Sequence, residues 1–313
     1  MPITLLEAKQ TCQDKLTQYV IDEFRKSALL DMLPFDNNVK PDGSTSMLYA
    51  YNRTTTQPTA GVREINAEYV AQEAKTTRYT TEMKILGGSF EIDRAIINNQ
   101  NGVIDHVTYQ MNEKIKATRA LFHDLFINGD NGANRNEFDG LNKAITGSAT
   151  EIVPAAAINL STSANITTNA PVLLDTIRKL MSKLSATPDV MLLNAQMYAV
   201  FQSIMDRAGM VTSKENFGTE VFKWGDTAVM KMGDKPGTSN PIIPIENNGE
   251  TSIYFAKLGM DAVHAISPTQ MINTYLPNMN EPGAVKKGEV ELIGAMVMKN
   301  QFSAGAIRKI KIA

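Results

Sequence analysis

Three histidines and one cysteine are the side chains of this sequence best suited to metal binding or nucleophilic chemistry. His106 and His123 lie seventeen positions apart and His264 is farther along the chain, so no two share the spacing of a metal site on one helical turn. Cys12 is alone, which excludes an intrachain disulfide and a thiolate cluster within one chain. We therefore interpret all four as structural residues, and the sequence predicts neither a metal nor a cofactor.

The short motifs that mark common enzyme sites are also missing. No G-x-G-x-x-G, phosphate-binding loop, H-E-x-x-H or G-x-S-x-G pattern occurs in the sequence. Residues 128–134 alternate oxygen-bearing side chains as a calcium loop would, but the bidentate acid that should end such a loop is not in register. A plain turn explains this segment better, and the sequence predicts no catalytic site.

The charge balance argues against a protein that grips nucleic acid. The chain has 31 Lys and Arg residues against 33 Asp and Glu residues, a formal net charge of -2, whereas tight binding to a phosphate backbone needs a basic excess. A nearly neutral surface suits close packing of many copies, because strongly charged copies would repel one another. The sequence has no run of about 18 apolar residues, and its start lacks the features of a secretory signal. We expect no contact with a membrane.

The first hundred residues change from helical to extended patterning. A capping box and apolar residues at helical intervals predict a helix, or a broken pair of helices, over residues 4–31, ended by a turn at residues 40–43. Residues 46–97 are rich in Thr, Tyr, Val and Ile and predict long antiparallel strands, one of them over residues 68–71. Between the strands, residues 53–64 are too poor in apolar side chains to make a core of their own. We expect this excursion to need a neighbouring molecule.

The rest of the chain combines helices with short apolar strands. Residues 102–127 give the strongest helical pattern, a rod of roughly 39 Å at 1.5 Å per residue, which ends at the turn-rich residues 128–132. We predict a surface connection with one short strand over residues 146–170. Two amphipathic helices then flank a buried strand, with the helices over residues 172–184 and 195–206 and the strand over residues 190–193. Even spacing of apolar residues predicts half-buried strands near the end of the chain.

The order of these parts, with two short motifs, resembles the major capsid proteins of tailed bacteriophages that share the Hong Kong ninety-seven phage fold. The motifs are Phe-Ile-Asn-Gly-Asp at residues 126–130 and Phe-Asp-Gly-Leu at residues 138–141. The resemblance implies an α+β fold with an N-terminal arm, an extended β-hairpin loop, a peripheral domain with a long spine helix, and an α/β axial domain. The corresponding divisions are residues 1–40 for the arm, 41–97 for the loop, 98–149 for the peripheral domain, 150–265 for the axial domain and 266–313 for strands that complete the peripheral domain.

The resemblance also implies a structural protein rather than an enzyme. Copies of the chain would assemble with one another, as pentamers and hexamers, into the icosahedral head shell of a tailed bacteriophage, and the packaged double-stranded DNA would be held by enclosure. A portal protein would be a partner, and so would a separate scaffolding protein, because a chain that starts at Met1 leaves no room for a fused one. The virion is the implied location, after assembly in the host bacterial cytoplasm, and the question of decoration proteins stays open. Some members weld subunits through a lysine on the loop, but no lysine occurs between Lys40 and Lys75, which argues against such a bond.

Charged residues of the predicted loop are our candidates for contacts between subunits. We expect Arg53, Arg63, Glu64 and Arg78 to pair with a neighbouring copy, since charges at the rim of an interface set register more than affinity. The alternative is that each of them is a solvated strand residue. An encapsulin, a bacterial nanocompartment shell of the same architecture that holds a cargo enzyme, is the alternative function. A soluble α/β enzyme with a closed pocket is a more remote one.

Overall fold

The computed structural model describes residues 28–37, 46–98, 106–209, 222–268 and 272–313. The predicted helix over residues 4–31 lies outside this part of the chain except for its end, where a short helix, α1, spans Ala28–Met32. The predicted turn at residues 40–43 and Cys12 also lie outside it. Helices are combined with three sheets that contain both parallel and antiparallel pairs, so the fold is α+β, as predicted.

Two strands form a ribbon that makes a sheet of its own. Strand β2 (Leu48–Thr56) pairs in antiparallel register with β3 (Lys75–Glu82). Residues 57–74 connect them without a further strand, so the predicted strand over residues 68–71 is wrong. An extended segment needs a partner edge to become a strand, and residues 57–74 pair with no strand in the described part of the chain. We call residues 48–82 the hairpin, β2 and β3 its stem, and residues 57–74 its tip.

The five-stranded sheet is organised around one long strand. Strand β13 (Val285–Met298) pairs along most of its length with β4 (Lys84–Asp93), and its last four residues pair with β11 (Val263–Ile266). The short strands β1 (Phe35–Asp36) and β12 (Asn273–Tyr275) pair with β11 and β13, respectively. Buried and more exposed residues alternate along β4, as expected when one face of a sheet meets a core.

Helix α3 (His106–Asn128) packs against this sheet through β4 and β13. It buries Met111 and Phe122, which lie about three turns apart on one side of the helix. The predicted helix over residues 102–127 is therefore confirmed from residue 106 onward, while residues 102–105 lie outside the described part of the chain. Besides α1, the shorter helical elements of the described residues are α2 (Arg94–Asn98), α4 (Leu141–Ile145) and a 3₁₀ turn (Gln301–Ser303).

The seven-stranded sheet is covered on both faces. Its strands and the helices packed on it are β5 (Glu151–Ile152), β6 (Ile158–Asn159), α5 (Ser163–Lys183), β7 (Val190–Leu193), α6 (Ala195–Arg207), β8 (Lys223–Trp224), β9 (Thr227–Lys231), β10 (Glu250–Ala256) and β14 (Ala304–Lys311). The strand order is β5–β14–β10–β7–β9–β8, with β6 also bonded to β14. Helices α5 and α6 cover one face, and the other face joins the core that contains α3. Burial on both faces explains the unbroken apolar run of β7, which confirms the predicted strand over residues 190–193.

The prediction of a surface connection over residues 146–170 is wrong for its last part, because a helix begins there earlier than expected. Helix α5 begins at Ser163, well before the predicted start at residue 172. Thr162 caps it by accepting a hydrogen bond from the amide of Asn165 at 3.2 Å. Burial of apolar residues such as Ile166 outweighs the poor helix propensity of the Ser, Thr and Asn residues around it.

The last strand joins a different sheet from the one expected. Strand β14 pairs with β10, β5 and β6 in the seven-stranded sheet, whereas we expected the strands of residues 266–313 to complete the sheet that packs on the long helix. The first four residues of β14 are all buried, on both faces of the strand. Such a strand fits a sheet that is covered on both sides, which its position in the sequence does not reveal.

Candidate interaction surface

Strand pairing gives the stem of the hairpin two faces of different character. Tyr49, Tyr51 and Arg53 alternate along β2 on the face toward the body of the same chain, where each is buried or half-buried. Asn52 and Arg78, which are partners across the ribbon, lie on the opposite face and are exposed. Two arginines of one stem therefore have different surroundings, because they occupy neighbouring cross-strand pairs on opposite faces.

Arg53 attaches the stem to the end of β13. Its Nη2 donates a hydrogen bond to the carbonyl oxygen of Met298 at 2.8 Å, and its Nε donates one to the carbonyl oxygen of Lys299 at 2.9 Å. Tyr51 donates its hydroxyl to the carbonyl oxygen of Met298 at 3.2 Å. Burial raises the pKa of Tyr51, which keeps this hydroxyl a donor. The guanidinium lies 4.6 Å from the ring centroid of Tyr79, so Arg53 contacts both strands of the stem.

A second contact holds the foot of the stem. Tyr49 donates its hydroxyl to Oδ2 of Asp36 on β1 at 2.8 Å, and its ring lies edge-on to the imidazole of His264 with the centroids 5.9 Å apart. Burial, followed by the hydrogen bond to Asp36, raises the pKa of Tyr49 above its ordinary range, so the hydroxyl stays protonated. Burial also lowers the pKa of His264, and the nearby Lys299 adds to this effect.

The tip is folded by local hydrogen bonds but leaves its apolar side chains uncovered. Gln72 Oε1 accepts a hydrogen bond from the amide of Thr59 at 2.8 Å. Arg63 donates to the carbonyl oxygen of Ala67 at 3.1 Å, and its guanidinium lies 5.4 Å from the ring centroid of Tyr69. Three apolar side chains project into solvent, namely Val62, which is fully exposed, Ile65, which is 92% exposed, and Val70, which is 85% exposed. Several exposed apolar side chains in one short segment are typical of a surface that another molecule covers.

The structure does not bring the four predicted contact residues together. Arg63 and Glu64 lie on the exposed tip and Arg78 lies on the exposed face of the stem, whereas Arg53 lies on the inner face of the stem, half-buried against its own chain. The apolar residues of the tip were not among the predicted contacts. The signal that could have found them was the presence of apolar positions in a segment that has no core of its own.

The glycines of the two motifs at residues 126–130 and 138–141 allow the chain to return closely against the end of α3. The amide of Gly140 donates to the carbonyl oxygen of Gly129 at 2.8 Å. A Cβ atom on Gly140 would lie 2.5 Å from the carbonyl oxygen of Leu125, closer than such atoms approach. The motifs that carried the resemblance therefore have a structural explanation, since a side chain at this position would push the turn away from the helix.

Lys143 neutralises the acidic side chains of the same turn. Its Nζ pairs with Asp130 and, at 3.0 Å, with Asp139. The hydrogen bond to Lys143 is the main cause that lowers the pKa of Asp130, and the hydrogen bond to Asp130 is the main cause that raises the pKa of Lys143. An open cleft of about 470 Å³ separates this turn from the stem, with Asp139 and Lys143 on its lining together with Arg53 and Met298.

Two further findings concern metals and membranes. Among the side chains that the structure describes, no three of His, Cys, Asp or Glu are grouped so that they could hold a metal ion. Across the described ranges, no helix is long and apolar enough to cross a bilayer.

A comparison with protein families gives one match. The family model described as SU10 major capsid protein matches residues 17–311 of this chain. Among curated proteins, none matches the sequence.

Several solved shell proteins are similar in structure and distant in sequence. The capsid of a native GTA particle has a TM-score of 0.64 at 11% identity, over 91% of this chain and 90% of that one. A chain of Mycobacterium phage Bobi has a TM-score of 0.59 at 13% identity, over 90% and 89%. The SrpI encapsulin of Synechococcus elongatus PCC 7942 has a TM-score of 0.60 at 13% identity, over 90% and 87%. At these identities the likeness concerns the fold, and it confirms the predicted Hong Kong ninety-seven phage fold.

Proposed function

This chain belongs to the SU10 major capsid protein family, and we propose that its copies close, as pentamers and hexamers, into an icosahedral head shell that holds the double-stranded DNA of a tailed bacteriophage. It is a bacteriophage capsid protein, and its family is structural rather than enzymatic. The observation that carries the proposed mode of assembly is the hairpin, because every side chain from residue 54 to residue 80 is exposed in the single chain.

The hairpin provides surface that its own chain does not use. A stem strand of nine residues is about 30 Å long, and a ribbon of only two strands is marginally stable by itself. Stable protein interfaces bury about 1,200–2,000 Å² in total, and an exposed ribbon with an apolar tip supplies such area to a neighbour. Copies that each lend a hairpin to the next make head-to-tail contacts, and contacts of this kind generate rings when the rotation between successive copies closes.

The charges of the hairpin support a role in fixing the register between neighbouring subunits. Arg63 and Glu64 on the tip and Arg78 on the outer face of the stem are exposed, and we propose that they form charged contacts with a neighbouring subunit. Arg53 is also on the hairpin, but its guanidinium is already bonded to two carbonyl groups of its own chain. It is therefore not free to pair with a neighbouring subunit in the same way.

We propose further assignments that membership of the family supports. The five-stranded sheet with α3 acts as the peripheral domain, the seven-stranded sheet acts as the axial domain, and residues 1–40 act as an arm. A separate scaffolding protein and a portal protein are the partners that we assign, with assembly in the host cytoplasm. DNA is held by enclosure, and the net charge of -2 supports this assignment because confinement needs no tight grip on phosphate.

A nanocompartment shell is the second candidate, because an encapsulin is among the structures with a similar fold. The fold does not distinguish the two kinds of shell. The family model does, since it describes a major capsid protein and covers nearly the whole chain. We therefore favour the phage head.

Negative-stain microscopy of the purified full-length chain tests the proposal. We expect particles built from many copies of the wild type and few or none when Val62→Ser and Ile65→Ser are combined, because the tip then loses the apolar surface that a neighbour covers. The matched control is the pair Val62→Ile with Ile65→Val, which keeps the tip apolar and should keep the particles. A wild type that stays monomeric at high concentration would remove the proposed function.

Charge reversal tests the register contacts independently. We expect Arg63→Glu combined with Glu64→Lys to slow particle formation, and the deficit should be larger at low salt, where exposed charges are less screened. Light scattering during assembly at two salt concentrations measures this effect. An unchanged rate and yield at low salt would remove these two residues from the interface.

A further inference from the structure

We propose that Arg53 is a positioning residue, which fixes the direction in which the hairpin leaves its own chain before any neighbouring copy binds. Tyr51 and Tyr79 complete this clamp. The inference deepens the proposed shell function and rests on it, because the direction of the hairpin matters only where a second copy has to receive the tip.

The first step is the geometry of the bond. Two nitrogen atoms of one guanidinium donate to the carbonyl oxygens of the consecutive residues Met298 and Lys299, at 2.8 Å and 2.9 Å. These carbonyls belong to the last residue of β13 and to the residue that follows it, next to the last pair of β13 with β11, so Arg53 is bonded to the end of the five-stranded sheet. A planar guanidinium with fixed donors defines an orientation as well as a distance, whereas a lysine ammonium would act as a single point.

The second step is that the clamp holds both strands of the stem. Tyr51 and Tyr79 are directly opposite each other in the ribbon, and their rings are stacked with centroids 5.8 Å apart and planes 20° from parallel. The guanidinium of Arg53 lies 4.6 Å from the centroid of the Tyr79 ring. The hydroxyl of Tyr51 reaches the carbonyl of Met298 as well. A tilt of the stem would therefore break the bonds of both Arg53 and Tyr51 to the end of β13, while the contacts with Tyr79 tie the second strand to these two residues.

The third step is the number of attachment points. The foot of the stem is tied at Tyr49, whose hydroxyl bonds to Asp36 on β1. A ribbon held at one point can rotate about that point, while a ribbon held at two points along its length has a defined direction. Arg53 supplies the second point, and beyond it every side chain up to residue 80 is exposed. The direction of the tip is thus set at Arg53.

A preset direction makes assembly easier because it lowers the entropy that must be lost on association. Without the clamp the hairpin would sample many directions, and only a fraction of copies would present the tip correctly at any moment. Assembly would then be slower, and hairpins captured in wrong directions would produce irregular particles instead of closed ones.

Hydrogen exchange on the unassembled full-length chain at low concentration measures the clamp directly. We expect Arg53→Gln to speed exchange of the stem amides, in residues 48–56 and 75–82, by about tenfold, since the loss of charge-assisted hydrogen bonds favours local opening. Arg78→Gln is the matched control, because Arg78 lies one cross-strand pair away on the outer face and should leave exchange unchanged. Equal exchange in wild type and Arg53→Gln would overturn the proposal, and so would equal acceleration in both variants.

Two more variants separate the effect of charge from that of bond geometry and replace Arg53→Gln if it does not fold. Arg53→Lys retains the charge but not the two-pronged bond, and we expect it to resemble Arg53→Gln rather than the wild type. If Arg53→Gln fails to fold, Tyr51→Phe removes one hydroxyl bond from the clamp and should speed exchange by a few fold.

Exchange is measured before assembly, so a wild type that forms no shell would defeat the proposed function while the clamp remained testable. Conversely, closed shells with normal yield from a fully folded Arg53→Gln protein would defeat the assembly role of the clamp alone.

Discussion

Strand β10 in the seven-stranded sheet and strand β2 in the hairpin differ in how much of their surface their own chain covers. Strand β10 has neighbours on both edges, and five of its seven residues are buried. Strand β2 has one neighbour, and one of its nine residues is buried. Burial on two faces makes β10 part of a core that is complete within one chain. The stem depends instead on its anchor residues and on whatever covers the tip.

Because of this difference, we expect one region to determine the stability of the folded chain and the other to determine its assembly. A change in the seven-stranded sheet should act on the folded chain itself, whereas a change in the hairpin should act on what the folded chain can build. Variants of both regions test whether stability and assembly can be changed separately. They differ in their expected effect on the free energy of unfolding, from the largest to the smallest.

The largest effect is expected for Phe255→Ala on β10. The side chain is fully buried, and removing a buried phenylalanine leaves a cavity that costs about 3–5 kcal/mol of unfolding free energy. Chemical denaturation of the unassembled chain measures the loss. A cost below about 1 kcal/mol would mean that this sheet is not the complete core described above.

The next effect compares two arginines. Arg308 on β14 donates to Glu151 at 2.9 Å and to the hydroxyl of Tyr254 at 2.7 Å, and the side chains of Arg308 and Glu151 are both mostly buried. Arg308→Gln leaves the Glu151 carboxylate without its countercharge and should cost about 3 kcal/mol. Arg53→Gln should cost clearly less in the same denaturation experiment, since the hairpin is outside the core. Equal losses of unfolding free energy would mean that the hairpin contact stabilises the chain as much as the contact in the seven-stranded sheet does.

The third effect is a pH dependence at the foot of the hairpin. His264 is fully buried and is faced by Tyr49, Asp36, Asp261 and Lys299. Burial first, and then Lys299, lower its pKa below the ordinary 6.5, so the unfolded chain takes up a proton at a higher pH than the folded chain does. Stability is therefore retained above pH 6.5 and falls as the pH drops below it, by at most about 1.4 kcal/mol per pH unit for one proton.

The variant His264→Phe isolates this contribution. It keeps an aromatic ring beside Tyr49 and should flatten the fall in unfolding free energy between pH 7 and pH 5, as measured by denaturation at several pH values. Burial also lowers the pKa of His123, to about 4, so His123 contributes a slope of the same sign that should persist in the variant. An identical slope in variant and wild type would show that His264 is not the titrating group.

The smallest effect on stability is expected at the tip. Ile65 is 92% exposed, so Ile65→Ala should change the unfolding free energy of the unassembled chain by no more than about 0.5 kcal/mol. The same variant should lower the yield of closed particles, counted by microscopy. A loss of stability as large as that of a core residue would mean that the tip packs on its own chain, and the contrast between the two regions would be wrong.

The local pattern of apolar residues was enough to predict many helices and strands of this fold. The apolar spacing of α3 and α6 and the short apolar run of β7 were predicted from the sequence, because a helix or strand repeats its buried positions within a few residues. The strand expected at residues 68–71 and the late start expected for α5 were wrong for the opposite reason. An extended pattern does not become a strand without a partner edge, and a polar pattern can become a helix when a core covers it.

The sequence by itself determined the position of the long helix, the turn that follows it and an extended segment too polar to form its own core, and its resemblance to a family implied the α+β class and the hairpin. Tertiary structure alone decided which face of the stem each arginine occupies and which sheet receives the last strand. Arg53 and Arg78 are the same residue type on one hairpin, yet the first meets Met298, 245 positions away along the chain, and the second meets solvent. Periodicity follows from backbone geometry over a few residues, whereas a contact between distant segments depends on how the whole chain packs.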